Sequence, residues 1–260
     1  MTVRPVAAQR RHTLHFLDGI RDFAPVYLDT EVDMTRLLAH RTADRHYSVV
    51  TYLLYVASRV LVAHPQANAA YSGGLRPRVA GYAGASGKLT LDRTIDGQRV
   101  VLAAVLPDLD RADLAQIQDM VDRYRDADPA MLPEFERTRR LHHLPVVVGR
   151  LLVRTARRSL RNRPAMMGTF AVTSLGHRPV DSFHSVGGTT VTFGVGRVLD
   201  RPVARAGSVA IAPVMRLSMS FDHRVIDGAE AADILAEVAD GLATFAGDRV
   251  DREGFRNLRH

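Results

Sequence analysis

Cysteine is absent from this chain of 260 residues. That excludes disulfides, a thiolate nucleophile and every Cys-ligated metal site, and no metal centre is expected. The same absence is compatible with a reducing setting, and a cytoplasmic location is the expectation. No apolar run reaches the roughly 18–20 residues of a membrane span. The opening Met1-Thr2-Val3-Arg4-Pro5 also lacks the apolar core of a signal peptide. Lysine is nearly missing: Lys88 is the only one among 35 basic residues, so the net charge of +7 rests on arginine. Aromatics are sparse at 6% and are not interleaved with the widely spread arginines. A nucleic-acid surface is therefore not expected. With 46% hydrophobic and 24% charged residues, the chain has the composition of a folded protein with a substantial core.

The patterning is mixed. Residues 26–33 alternate apolar and polar, the signature of a half-buried strand. A helix from Ser48 to Ala63, with Ser48 as N-cap, is apolar almost all round and ends at His64-Pro65. Gly73 to Gly87 reads as loop or short strands, and 99–106 as a central strand closed by Pro107. A helix is predicted over 110–126 and a basic amphipathic stretch over 146–160. Two β-rich segments, 168–175 and 188–196, precede the longest strand signal, 208–221. A final helix is predicted from Gly228 to Phe245. Strands and helices do not alternate steadily enough for a doubly wound sheet, and neither an internal repeat nor an interdomain linker is visible. An α/β (α+β) fold in one domain over 1–260 is expected.

Arg137, Arg139, Arg140, Arg150, Arg154, Arg157, Arg158, Arg161 and Arg163 form the one dense basic block. Its readings are a solvated helix face, a phosphate or coenzyme contact, or a surface for an acidic partner or membrane. His142-His143 lacks a carboxylate at ligand spacing and reads as surface; His177 and His184 read as loop histidines, with the lining of an acceptor pocket as the alternative. Gly194-Val195-Gly196 has no third glycine and no helix start after it, so it is not a dinucleotide loop. The sharpest feature is Asp222-His223-Arg224-Val225-Ile226-Asp227-Gly228. It places a histidine at the end of a strand, four residues before an Asp-Gly that opens a helix. Histidine is the side chain most easily held as a neutral base near pH 7. Glycine at 228 suits a tight strand-to-helix corner.

Asp222 through Ala229, with Ala231-Ala232, resembles the signature of dihydrolipoamide acyltransferases, the catalytic cores of 2-oxoacid dehydrogenase complexes. Three other stretches resemble that family in the same order: Glu31-Val32-Asp33-Met34-Thr35, His64-Pro65-Gln66-Ala67-Asn68-Ala69, and Gly168 through Gly176. The resemblance implies a chloramphenicol acetyltransferase-like mixed β-sheet flanked by helices. It implies a coenzyme A-dependent acyltransferase in which His223 is the general base. The family's serine falls on Thr173, whose hydroxyl would stabilise the tetrahedral oxyanion, with Ser174 as its neighbour. Asp227 takes the family's acidic position, and Arg10 or Arg11 would be its partner. Acyl-CoA is implied as substrate, and the acceptor as a dihydrolipoyl-type thiol or a small molecule. A homotrimer, or an assembly of trimers, with the site between subunits is also implied.

Two departures stand out. No lipoyl or peripheral-subunit-binding domain and no lipoyl attachment site are read in the chain, so a lipoyl-carrying partner would act in trans. A basic insertion at about 129–165 replaces a shorter connection. The alternative function is a non-catalytic trimeric scaffold that recruits partners through residues 137–163. A condensation domain of peptide synthesis shares His-x-x-x-Asp-Gly, but its first position is usually a second histidine, where this chain has Asp222.

Overall fold

The computed structural model describes residues 1–246 except 4, 44, 96, 130, 137–143 and 145; for 133, 146, 156 and 157 the backbone alone is described. Its helices are α1 (Arg11–Gly19), α2 (Thr35–Ala43), α3 (Val49–Ala63), α4 (Leu114–Asp126), α5 (Val146–Arg158), α6 (Arg163–Met167) and α7 (Gly228–Ala243). Its strands are β1 (Pro25–Asp33), β2 (Ala69–Ser72), β3 (Arg78–Gly81), β4 (Gly87–Ile95), β5 (Gln98–Leu106), β6 (Phe170–Ser174), β7 (Val191–Arg205) and β8 (Ser208–Asp222).

Six strands form a mixed sheet in the order β1-β8-β7-β6-β4-β5, while β2 and β3 pair separately. Among the described strand pairs, β4–β6 and β6–β7 are the parallel ones. The alternation along β8 explains how the sheet is dressed. Met215, Leu217, Met219 and Phe221 are buried in the main core, which also holds residues of α3, α4 and α7. Ser218, Ser220 and Asp222 fall on the opposite face, as a period of two requires. A loop over residues 176–190 covers that second face. Ser218 Oγ donates to the Phe183 carbonyl and Ser220 Oγ to the Ser185 carbonyl.

This loop accounts for the Gly194-Val195-Gly196 pair. A Cβ on Gly194 would overlap the Phe183 carbonyl, and one on Gly196 the Asp181 carbonyl. These glycines let the loop backbone lie directly on β7.

Two helix starts are set by side-chain caps. Ser48 Oγ accepts from the Thr51 amide at 3.1 Å, opening α3 where expected. The next helix begins at Leu114 and not at 110. Asp113 and Gln116 form a reciprocal capping box there, and the chain before it is spent on a turn with Asp108 at φ 51°. Two strands exceed their sequence signals. The segment 87–95, whose start was assigned to the loop, is β4, and β7 runs on to Arg205 as the partner of β8. Pairing to a neighbouring strand, more than local apolar pattern, sets those lengths. No described helix is long and apolar enough to cross a membrane.

Part of the basic stretch forms α5, which packs on α1. Gly149 makes room for the buried His15 ring, and Arg150 pairs with Asp18 at 2.6 Å. Arg150, Arg154, Arg158 and Arg161 are exposed, in keeping with a solvated face. Arg163 departs from that reading. It is partly buried and donates to the Tyr71 carbonyl at 2.8 Å and the Gly188 carbonyl at 3.0 Å. Burial pushes its guanidinium below the usual arginine range. Arg137, Arg139, Arg140, His142 and His143 lie outside the described residues.

Candidate active site

His223 sits one residue past β8, where its amide donates to the Ala24 carbonyl at 2.9 Å. The turn is anchored from below. The Asp222 amide donates to the Thr190 carbonyl at 2.9 Å, and the Asp222 side chain is buried beneath a two-point pair with Arg224 at 2.8 and 2.6 Å. That pair raises the Arg224 guanidinium above its usual range and holds it 4.4 Å from the Tyr71 ring centroid. Arg163 grips the same strand, β2, through the Tyr71 carbonyl. The histidine therefore stands on a fixed platform while its own side chain stays 48% exposed.

Asp227 is the N-cap residue of α7, yet its side chain caps no backbone amide. It turns to His223 instead, with Oδ1 3.3 Å from Nδ1. A carboxylate on Nδ1 favours the tautomer whose proton is on that nitrogen, which leaves the Nε2 lone pair as the basic site. Asp227 is 90% exposed, so in the isolated chain solvent screens the pair.

Thr173 lies near the end of β6, opposite Gly194 of β7, which in turn faces Ser218 of β8. That register puts Thr173 on the loop-covered face and Ser174 on the other. The Ser174 hydroxyl accepts only a long bond, from the Gly176 amide at 3.4 Å. The Thr173 hydroxyl oxygen accepts from Thr90 Oγ1 of β4 at 2.9 Å and from Ser185 Oγ of the loop at 3.2 Å.

Thus His223 and Asp227 are brought together, and Thr173 is not joined to them within one chain. From Ser218 to His223 is five residues, roughly 16 Å along the strand, and β6 is two strand spacings, roughly 10 Å, to the side. Within the single chain, Arg10 and Arg11 stand away from Asp227. They stand at the start of α1, the end where His12 Nε2 meets the Val101 carbonyl of edge strand β5. His223 touches the chain just beyond the other end of that helix. Arg11 donates to the Leu144 carbonyl at 3.4 Å. Gly228 has an ordinary backbone conformation and open space where a Cβ would stand, so the corner itself does not require glycine. Among the described residues there is no group of three side chains suited to a metal ion.

The sequence does not mark Thr90, Ser185 or Tyr71, and places Arg163 only as a member of the basic block. A strand periodicity would have put Thr90 and Thr173 on one face only once the β4–β6 register was known. No local pattern singles out Ser185 or Tyr71.

Comparison with known proteins places this arrangement. Residues 137–247 match the family model described as 2-oxoacid dehydrogenases acyltransferase (catalytic domain). The dihydrolipoyllysine-residue acetyltransferase component of the pyruvate dehydrogenase complex of Corynebacterium glutamicum is 25% identical over 235 residues, 84% of this chain and 30% of that protein. The chain spans less than a third of the length of the curated relatives it matches. The cubic core of the pyruvate dehydrogenase multienzyme complex superposes with a TM-score of 0.70 at 22% identity, covering 94% of this chain and 92% of that one. A chloramphenicol acetyltransferase superposes with a TM-score of 0.52 at 16% identity, covering 93% and 98%. The expected sheet-and-helix architecture is therefore borne out. The family model lies across α5, β6 to β8 and the His223 turn, so this part of the chain is similar to the catalytic domain of the 2-oxoacid dehydrogenase acyltransferases.

Proposed function

We propose that this chain is an acyltransferase that moves an acyl group between coenzyme A and a thiol of the dihydrolipoyl type, or a small-molecule acceptor. His223 Nε2 takes the proton of the incoming thiol, and the thiolate attacks the thioester carbonyl. Asp227 keeps the imidazole in the required tautomer. The oxyanion of the tetrahedral adduct accepts a hydrogen bond from the Thr173 hydroxyl. When the adduct collapses, the new thioester forms and the coenzyme A sulfur leaves, taking the proton back from the imidazolium.

One observation carries this reading. The base and the hydroxyl are each well placed but lie too far apart in one chain to serve the same carbonyl. A site built between subunits of a homotrimer, or of a larger assembly of trimers, resolves that separation, with His223 from one copy and Thr173 from the next. A lipoyl-carrying protein acting in trans is the acceptor partner that fits, in a cytoplasmic setting.

The scaffold reading has support of its own, because α5 exposes Val147 and Leu151 beside Arg150 and Arg154. Mass spectrometry of acyl transfer from acetyl-CoA and longer acyl-CoA thioesters to dihydrolipoamide separates the two. Wild type should transfer, and His223→Ala should lose about 10²–10⁴ in rate. Failure both to transfer and to bind coenzyme A would favour the scaffold, whereas binding without transfer would point to a different small-molecule acceptor.

A further inference from the structure

A threonine hydroxyl has one proton and two acceptor lone pairs. At Thr173 both lone-pair directions are taken by donors from different elements, Thr90 Oγ1 at 2.9 Å and Ser185 Oγ at 3.2 Å. No acceptor among the described residues receives the Thr173 proton. Such an arrangement is uncommon for a partly buried hydroxyl, which ordinarily spends its proton on a nearby carbonyl.

The two donors are themselves held in place. Thr90 is on β4, in register beside the β6 strand of Thr173, and among the described residues its one other side-chain hydrogen bond is a long one to the Val172 carbonyl at 3.4 Å. Ser185 belongs to the loop whose backbone is fixed by Ser218, Ser220 and Lys88. These three donate to the carbonyls of Phe183, Ser185 and Gly187, respectively. The lone lysine of the chain is thus a buried clamp on this loop, 4.5 Å from the Phe16 ring centroid.

We infer that Thr90 and Ser185 are positioning residues that fix the rotamer of Thr173 and leave its proton for the substrate oxyanion. This rests on the acyl-transfer reading. Two donors into one hydroxyl oxygen also polarise its O–H bond and make it the stronger donor. The extra threonine methyl, absent from a serine, is then no handicap, since the hydroxyl need not search for its orientation.

The test is a double-mutant cycle on the assembled protein, reading kcat and KM for acetyl-CoA with dihydrolipoamide as acceptor. Ser185→Ala and Thr90→Val should each lower kcat about fivefold, the loss of one ordinary hydrogen bond, with KM unchanged. Thr90→Ser, which keeps the donor, should restore the rate. In a Thr173→Ala background neither substitution should cost anything further. Equal losses in both backgrounds, or none with Thr173 present, would overturn the positioning role while leaving the oxyanion role standing. A Thr173→Ala variant as fast as wild type would instead defeat the oxyanion role, and this inference with it.

Discussion

Two inactive variants of this protein should repair each other. His223→Ala removes the base and Thr173→Ala the oxyanion donor, and each alone should leave less than about 1% of the wild-type rate. In one chain the two positions are separated by about five residues along β8 and two strands across the sheet, roughly 19 Å in all. On the proposed acyl-transfer reading, a working site takes its histidine from one copy and its hydroxyl from the next. In randomly mixed assemblies of equal amounts, a given interface receives an intact histidine half the time and an intact hydroxyl half the time, so about a quarter of the wild-type activity returns. That fraction holds for the unselected mixture; selecting doubly tagged trimers discards the inactive parents and raises it to about a third, one intact interface of three. Co-expression with two different tags, sequential purification on both and the dihydrolipoamide assay supply the measurement. Activity of the doubly tagged species no higher than that of its parents would refute the shared site.

Gly194→Ala should cost about 1–3 kcal/mol or more, because its Cβ would meet the Phe183 carbonyl and Ser218 Oγ. Displacing that loop also draws Ser185 from Thr173, so activity should fall at temperatures where the variant is still folded by circular dichroism. Arg163→Ala should cost about 1–3 kcal/mol by leaving the Tyr71 and Gly188 carbonyls without their donor, and a melting temperature unchanged within about 1 °C would contradict that. Burial, reinforced by Arg150 and opposed by Asp18, holds the His15 imidazole below its usual range. Among the described residues its two ring nitrogens have no hydrogen-bond partner. Because the unfolded chain then takes up this proton first, stability should drop as pH falls below about 6.5 toward the lower folded value. The decline in melting temperature from pH 7.5 to 5.5 should be smaller in His15→Leu, and equal declines would rule out this contribution.

Local sequence determined a good deal of this protein. The alternation of Arg216 to Asp222 specifies a strand with one apolar face, Ser48 specifies where α3 begins, and Asp222 to Gly228 specifies a strand-to-helix turn bearing His223 and Asp227. Each depends on residues a few positions apart, where periodicity and capping act directly. Other features came only from residues far apart in sequence. Thr90, Thr173 and Ser185 meet through the β4–β6 register and a loop folded across β7. Gly194 and Gly196 are explained by carbonyls more than ten residues earlier, not by a phosphate. Arg163 sits in a run of surface arginines by sequence, yet carbonyls from two distant segments surround it. A side chain's own neighbours in sequence set its backbone state, whereas hydrogen-bond partners and close approaches are set by which strands and loops the tertiary fold brings into register.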